Sequence, residues 1–600
     1  MCVEQPPTTV SGAINTAGNP GDIAIMAPGK EPMSYEKLRL QVRTTVDALH
    51  AMGYGHGDRI AVSLPNGPEM AVAFLAVASA FTCVPLNPGC REQEVTACLA
   101  GAKADAIILP SGAVAASPGV PVITLSPAGG EAGGFTIAGE ARAGNIDRAP
   151  AAPDDIGMLL YTSGTTARPK LVPLTQSGMV GAALNMAVPL ALTREDRCLN
   201  VSPLYYVGGL LGSLLGTIAT GGSVVCAPGF QPERFFEWLR AYRPTWYTSV
   251  PAIHQHVLQL ATERPDEARM SGLRLIRTSA AAMPQAVREG LEQAFGVPVI
   301  EAYGMTEAPH QIATNPLPPL PRKPGSVGRG VGVEIAVVDG CGQIMRPGGR
   351  GEVVIRGPGV TRGYENDPAA NATAFYDGWF HTGDLGHLDG DGYLFLDGRI
   401  KETINRGGDK ISPAEIEEAL LSHPAVAEAA AFAVPDPVLG ENVGAAVVLH
   451  AGTDVTPETL RKHVAGRLAY FKVPARVWAV AGIPRGPTGK VQRIGLYDRL
   501  GHSMETPGAP DCEPVPCATP TEQALAEIWA RVLGRDHIGR LDSFIDLGGD
   551  SLQATMVLSR VRESFGVAVP IARMMDCDDL AALARLVDDL KAGRDDGRHR

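Results

Sequence analysis

Along the first 400 residues, two hydrophobic periods take turns. "MSYEKLRLQVRTTVDALHAMGYG" places apolar residues at helical spacing and predicts an amphipathic helix closed by Gly53. "RIAVSLP" predicts a buried strand, "PEMAVAFLAVASA" a helix and "CVPLNP" the next strand. The runs "AIILP", "PVITL", "SVVCAP", "WYTSVP", "LRLIRTS" and "PVIEAYG" are strand-like and alternate with helical patterns. This alternation predicts an α/β fold with largely parallel sheets. From about residue 330 the texture changes, and "VEIAVVDGCGQIMRPGGRGEVVIRGPGV" has strands broken by Asp-Gly and Pro-Gly, as in a small antiparallel β region. Beyond Arg399, "PAEIEEALLSH", "VAEAAAFAVP", "GAAVVLH" and "TPETLRKHVAGRLA" predict a small α+β domain. Residues 502–520 are rich in proline and lack apolar periodicity, which marks a semi-stiff linker. Thr519-Pro520-Thr521-Glu522 then supplies an N-cap, a proline at the first helical position and a glutamate at the third, ahead of "QALAEIWARVLG". The expected organisation is a large unit over 1–400, a small one over 401–500, a linker over 501–520 and a helical domain over 521–592.

Composition narrows the function. A chain of 600 residues exceeds one core, so several domains are expected. Hydrophobic residues make up 45% and charged residues 19%, an ordinary balance for a protein in water. Net charge is −12 with no dense Lys/Arg run, so a nucleic-acid partner is not expected and any anion site must be local. Ten cysteines without C-x-x-C spacing argue against a zinc site or a disulfide framework and fit reduced thiols. The most apolar stretch, "MAVAFLAVASAFTCVPL", is short and ends in proline turns, which predicts a buried helix and strand rather than a membrane span. The N-terminus lacks a basic start followed by an apolar run, so a cytoplasmic protein is expected.

The first candidate chemistry is "YTSGTTARPKLVPLT" (161–175), which leaves the apolar strand "DDIGMLL". Ligands collect at such strand ends in α/β proteins. Hydroxyls and backbone N–H groups donate to phosphate oxygens, and Lys170 adds a point charge. The order differs from G-x-x-x-x-G-K-[ST], which disfavours a P-loop ATPase or kinase. Further motifs follow in sequence: "EAYGMTEA" (301–308), "GWFHTGDLG" (378–386), "DGRIKETINRGGDKISPAEIE" (397–417) and "PRGPTGK" (484–490). Together they resemble the adenylate-forming superfamily of acyl-CoA synthetases, luciferases and peptide-synthetase adenylation domains, over about residues 30–500. "PGFQPERFFEWLRAYRPTWYTSVPAIHQ" and "AYGMTEAPHQIATNPLPPLPRKPGSVG" look most like its oxalyl-CoA synthetase branch.

The resemblance implies that ATP and a carboxylate give an acyl-adenylate and pyrophosphate, and that a thiol then takes the acyl group. It implies that Thr162, Ser163, Gly164, Thr165, Thr166 and Lys170 hold the β- and γ-phosphates, that Thr306 reaches the α-phosphate and that Glu307 ligates Mg²⁺. Tyr303, next to Ala302, would stack on adenine, and Asp384, supported by Arg399, would accept hydrogen bonds from the ribose hydroxyls. Lys490 would stand between the carboxylate and the α-phosphate. Lys401 matches the hinge of a rotating small domain, and Gly407 and Gly408 would line the thiol's path. Ala167 stands where the family usually has glycine, which should stiffen that loop.

"LDSFIDLGGDSLQATMVLSRV" (541–561) resembles the 4'-phosphopantetheine attachment motif of carrier proteins, with Ser551 as the modified residue. The resemblance implies an all-α carrier, a four-helix bundle, and a phosphopantetheinyl transferase as partner. The resulting expectation is an α/β multidomain ligase that loads its own carrier arm, with a proline linker keeping that arm near the adenylate. Alternatives are an acyl-CoA ligase using free CoA and an inactive adenylate-binding scaffold that presents the carrier. No condensation, reductase or thioesterase pattern follows the carrier, so downstream biosynthetic enzymes of nonribosomal peptide or polyketide type are expected partners.

The acid is read from the segment after the phosphate loop. Related adenylation domains for α-amino acids place an aspartate there, whereas "SPLYYVGGLLGSL" has no acid. A buried ammonium would lack its partner, so a small acid without an α-amine is expected. Tyr206 stands where many acyl-CoA synthetases have histidine, and Ser279 lies on the facing loop. His310 aligns with a histidine that the oxalate branch uses on its substrate.

Overall fold

The computed structural model describes residues 6–113, 119–143, 146–162, 170–407, 409–436, 439–453, 455–485, 490–500, 515–544, 547, 551–570, 573–574, 577 and 579–592. The chain divides into two compact units, Met1–Ile400 with Arg485–Lys490, and Lys401–Pro484 with Val491–Arg600.

The first unit grows around the chain's most apolar stretch. Helix Pro68–Ala80 is apolar on every face and buries nearly all its residues, and its proline sits where the helix N–H has no partner in any case. Strand Thr82–Pro85 follows it with all four residues buried. That strand belongs to a seven-stranded sheet ordered Phe135–Ala138, Val122–Pro127, Ala106–Pro110, Arg59–Val62, Thr82–Pro85, Ile156–Tyr161, Leu171–Thr175. The interior pairs are parallel and the two edge pairs antiparallel. A second sheet runs in parallel through Ile23–Met26, Ser223–Cys226, Arg197–Asn200, Trp246–Ser249, Leu275–Thr278 and Val299–Tyr303, with short antiparallel strands at its edges. A π-helix, Gly208–Leu215, packs its leucines into the main core.

The expected small β region is an antiparallel five-stranded sheet of Glu334–Val338, Arg350–Arg356, Phe375–Tyr376, Trp379–Leu388 and Leu394–Arg399.

The second unit holds a long antiparallel pair, Val426–Asp436 with Gly440–Leu449, joined in parallel by Arg476–Ala479. Helices Pro413–Leu421 and Pro457–Ala465 contribute Ile416, Leu420, Leu460 and Val464 to its core. Beyond residue 515, helices Pro520–Leu533, Ser551–Phe565 and Leu580–Lys591 gather Trp529, Val557 and Leu583 into a separate core. Thr519 caps the first of these, accepting from the Glu522 N–H at 3.1 Å, while the Glu522 carboxylate accepts from the Ala518 N–H at 2.6 Å and pairs with Arg540. Three helices of the expected four-helix domain are among the described residues; residues 571–572, 575–576 and 578, like linker residues 501–514, lie outside them. Among the described residues no helix is long and apolar enough to cross a membrane.

Candidate active site

The strand Ile156–Tyr161 ends in Thr162, and the antiparallel Leu171–Thr175 returns from Lys170. Two bonds close the neck of the loop, Thr162 N–H to Lys170 C=O at 2.8 Å and Lys170 N–H to Thr162 Oγ1 at 3.2 Å. Ser163, Gly164, Thr165, Thr166 and Ala167 lie outside the described residues. The ammonium of Lys170 sits over the Tyr364 ring, 4.2 Å from its centroid. The Tyr364 hydroxyl donates to Glu307 Oε1 at 2.8 Å. Burial and the Glu307 carboxylate raise the Tyr364 hydroxyl's pKa, which keeps it a donor. Tyr364 therefore ties the residue expected at the phosphates to the residue expected at Mg²⁺, and "RGYEND" carried no signal for it. Glu307 offers a hard carboxylate whose described partner is a neutral phenol. Such a group fits a Mg²⁺ ion that is held largely by substrate phosphates.

Ala302 and Tyr303 end the buried strand Val299–Tyr303 and pair with Thr314 and Ala313. Tyr303 donates its hydroxyl to Asp384 Oδ2, and Arg399 Nε meets Asp384 Oδ1 at 2.9 Å. Asp384 and Arg399 face each other across neighbouring antiparallel strands, so the ladder fixes the ion pair. Desolvation and the Asp384 charge hold the Tyr303 hydroxyl well above its ordinary pKa. Both Asp384 oxygens already accept one bond, leaving further lone pairs for ribose hydroxyls. The expected trio thus comes together. Thr306 and Glu307 lie in the turn that follows, and their neighbour His310 takes φ 70° there. That φ puts His310 outside the helical region. The turn is tight: a Cβ at Gly304 would lie 2.1 Å from the His310 carbonyl oxygen.

His310 points into the sheet beside two buried residues. Its Nε2 lies 3.0 Å from Arg277 Nη1 and 3.5 Å from Ser279 Oγ. Burial first, then the charges of Arg277 and Lys490, hold its pKa well below the ordinary value, so the ring is neutral. Glycines of the π-helix press on it; a Cβ at Gly212 would lie 2.5 Å from His310 Cδ2. Tyr206 stands two residues before this helix, half-buried against Tyr205 at 4.6 Å, and no bond joins it to His310 among the described contacts. Arg277 carried no motif, yet it is fully buried at the centre of this cluster.

Lys490 groups with the first unit and is half-buried; residues 486–489 before it lie outside the described residues. In the second unit, Lys401 is exposed in the turn Ile400–Glu402, and Gly407 is exposed at φ 58° with its N–H bonded to Leu439 C=O. Gly408 lies outside the described residues. Ser551 opens the helix Ser551–Phe565, and its side chain is outside the description.

Three family models match the chain in order: AMP-binding enzyme over residues 13–365, AMP-binding enzyme C-terminal domain over 415–490 and phosphopantetheine attachment site over 523–587. The chain is similar to an oxalate–CoA ligase of Arabidopsis thaliana, 40% identical over 502 residues, which is 81% of this chain and 97% of that protein. It is also similar to a sulfoacetate–CoA ligase of Cupriavidus necator, 34% identical over 497 residues, covering 81% and 96%. Among solved structures, ATP-bound MatB from Rhodopseudomonas palustris aligns with TM-score 0.74 and 29% identity, covering 83% of this chain and 100% of that one.

Proposed function

Because the chain belongs to the AMP-binding enzyme family and carries a phosphopantetheine attachment domain, we propose that it adenylates a short acid lacking an α-amine and transfers the acyl group to its own carrier arm. Membership makes it an ATP-dependent, adenylate-forming acid–thiol ligase. The finer reading rests on one observation. The charged group buried among the expected pocket residues is a guanidinium, Arg277, beside Ser279 and a neutral His310. A buried cation repels an α-ammonium and tolerates an anionic or polar acid.

In the proposed first step a carboxylate oxygen attacks the α-phosphorus of ATP, the bond to the β-phosphate oxygen breaks and pyrophosphate leaves. Lys490 neutralises charge where it develops, between carboxylate and α-phosphate, and Thr306 donates to the α-phosphate. Thr162 and Lys170, with Ser163, Gly164, Thr165 and Thr166, hold the departing phosphates. Tyr303, Asp384 and Arg399 fix the adenosine. Mg²⁺, which the family implies, supplies charge neutralisation at phosphate oxygens, and Glu307 is the residue to hold it. In the second step a thiol sulfur attacks the acyl carbon, the acyl–phosphate oxygen bond breaks, AMP leaves and the thiol loses its proton. Lys401 serves as the hinge between steps, and Gly407 and Gly408 line the thiol's path. Ser551, once modified by a phosphopantetheinyl transferase, carries that thiol, and a downstream biosynthetic enzyme removes the product.

The relatives named as CoA ligases favour a second reading, with free CoA as acceptor. ATP–pyrophosphate exchange over a panel of acids tests the first step. Exchange with short carboxylic acids is expected, and exchange only with α-amino acids overturns it. Mass spectrometry of the holo-protein with ATP and the accepted acid tests the second. Acyl mass on Ser551 supports self-loading, whereas acyl-CoA in solution with an unloaded arm supports the CoA reading.

A further inference from the structure

The segment 361–365, "TRGYE", is bonded through its backbone to both halves of the nucleotide end. The Thr361 N–H donates to the Glu307 carbonyl at 2.8 Å, and the Glu365 N–H donates to the Leu171 carbonyl, one residue past Lys170, at 2.8 Å. The Thr361 hydroxyl donates to the Pro173 carbonyl at 2.8 Å, and Arg59 of the seven-stranded sheet holds the Glu365 carboxylate at 2.8 Å. Tyr364 lies between these anchors. Its N–H donates to Asn371 Oδ1 at 2.7 Å and its carbonyl accepts from Asn371 Nδ2 at 2.9 Å, which pins it to helix Pro368–Ala374. Its ring is buried and meets the Phe375 ring edge to face at 5.9 Å. Packing and backbone bonds together fix where that ring stands.

From this fixed position one side chain serves two opposite charges by two different means. The Lys170 ammonium sits 4.2 Å from the ring centroid, and the hydroxyl donates to Glu307 Oε1 at 2.8 Å. An aromatic face attracts a cation, and a phenol O–H donates to a carboxylate. Phenylalanine offers only the first and serine only the second. Lysine and glutamate are also among the side chains with most rotamer freedom to lose, so holding them in advance removes that cost from ligand binding.

Resting on the roles proposed above for Lys170 and Glu307, we propose that Tyr364 is a positioning residue of the adenylation step. It sets the phosphate-binding ammonium and the metal-binding carboxylate at a fixed separation, so that Mg²⁺ and the ATP phosphates are taken up as one unit. The hydroxyl serves the metal through Glu307, and the ring serves the phosphates through Lys170. Substitution separates the two contributions.

The test is ATP binding by the full chain, measured by titration calorimetry in Mg²⁺ and in EDTA, alongside pyrophosphate exchange. Tyr364→Phe keeps the ring under Lys170 and removes the hydroxyl. The gain in ATP affinity that Mg²⁺ brings should shrink about tenfold, with metal-free ATP affinity near wild type, and the Mg²⁺ concentration for half-maximal exchange should rise about tenfold. Tyr364→Leu removes the ring as well, and metal-free ATP affinity should then fall about three- to tenfold. AMP carries neither the β- nor the γ-phosphate, so its affinity should stay at the wild-type value in both proteins, whereas a general loosening of the site would lower it. Adding Tyr364→Phe to Glu307→Gln should weaken the Mg²⁺ response little further, because the hydroxyl acts through that carboxylate. If the leucine protein does not fold, Tyr364→Phe decides alone. A Tyr364→Phe protein with the wild-type response to Mg²⁺ overturns the proposal and leaves adenylation standing, as does an equal loss of AMP, metal-free ATP and Mg²⁺–ATP affinity. A wild-type chain that binds no ATP in either condition overturns the adenylation reading and this one with it.

Discussion

The nucleotide end and the acid end of the candidate site are built on opposite electrostatic plans. At the nucleotide end one ion pair is matched within the protein, Arg399 with Asp384, whose other oxygen accepts the Tyr303 hydroxyl, while Glu307 and Lys170 meet the Tyr364 hydroxyl and ring. At the acid end a buried guanidinium faces a neutral imidazole, an amide and hydroxyls. A self-matched cluster is preorganised before ligand arrives and suits a ligand that never changes. An unmatched one is completed by what binds there.

The largest break in this comparison is expected from Lys490→Ala. Adenylation should fall by about 10²–10³, while transfer from a supplied acyl-adenylate to the carrier thiol stays near wild type. Pyrophosphate exchange and single-turnover loading measure the two, and undiminished exchange would show that Lys490 has no part in the first step. Next comes Asp384→Asn, which leaves Arg399 and Tyr303 without their charged partner. KM for ATP should rise about 10–100-fold with the acid preference intact. A shift in acid preference instead would mean the two ends are not separable. Gly212→Ala attacks the other end: its methyl group meets the His310 ring, and overpacking of this kind costs about 1–3 kcal/mol. The expected outcome is roughly tenfold lower kcat/KM for the acid with KM of ATP unchanged, read from initial rates.

The smallest effect concerns Glu301, on the strand that carries Tyr303. Burial raises its carboxyl to about 7 from 4.5. A raised folded-state pKa means the folded protein holds the proton longer than the unfolded chain. That contribution to stability is fully present below about 4.5 and is lost as pH rises through about 7. Glu301→Gln should flatten the Tm profile between these values and raise Tm at pH 8 by roughly 2–4 °C. An unchanged slope would show that Glu301 is already ionised in the folded protein.

The difference between the two ends also measures what could be read early. The motifs carrying Tyr303, Glu307, Asp384 and Arg399 are short contiguous runs, and the resemblance named those residues before any fold was known. Tyr364 and Arg277 sit in runs with no such signature. Their partners lie 57 and 33 residues away along the chain, and only the folded sheets bring them together. The same holds for Gly212, whose need for a missing side chain is set by a histidine from a distant turn.

By itself, the sequence determined the elements whose causes are local. The all-apolar run folds as helix Pro68–Ala80, and the Thr519 cap with its proline starts helix Pro520–Leu533, because periodicity and capping act within a few residues. It also determined the family, because motif order survives in the linear chain. Only the tertiary structure decided where charge is balanced and where it is left open. Desolvation and counter-charge depend on neighbours brought in by strand pairing, and a linear sequence does not record who those neighbours are.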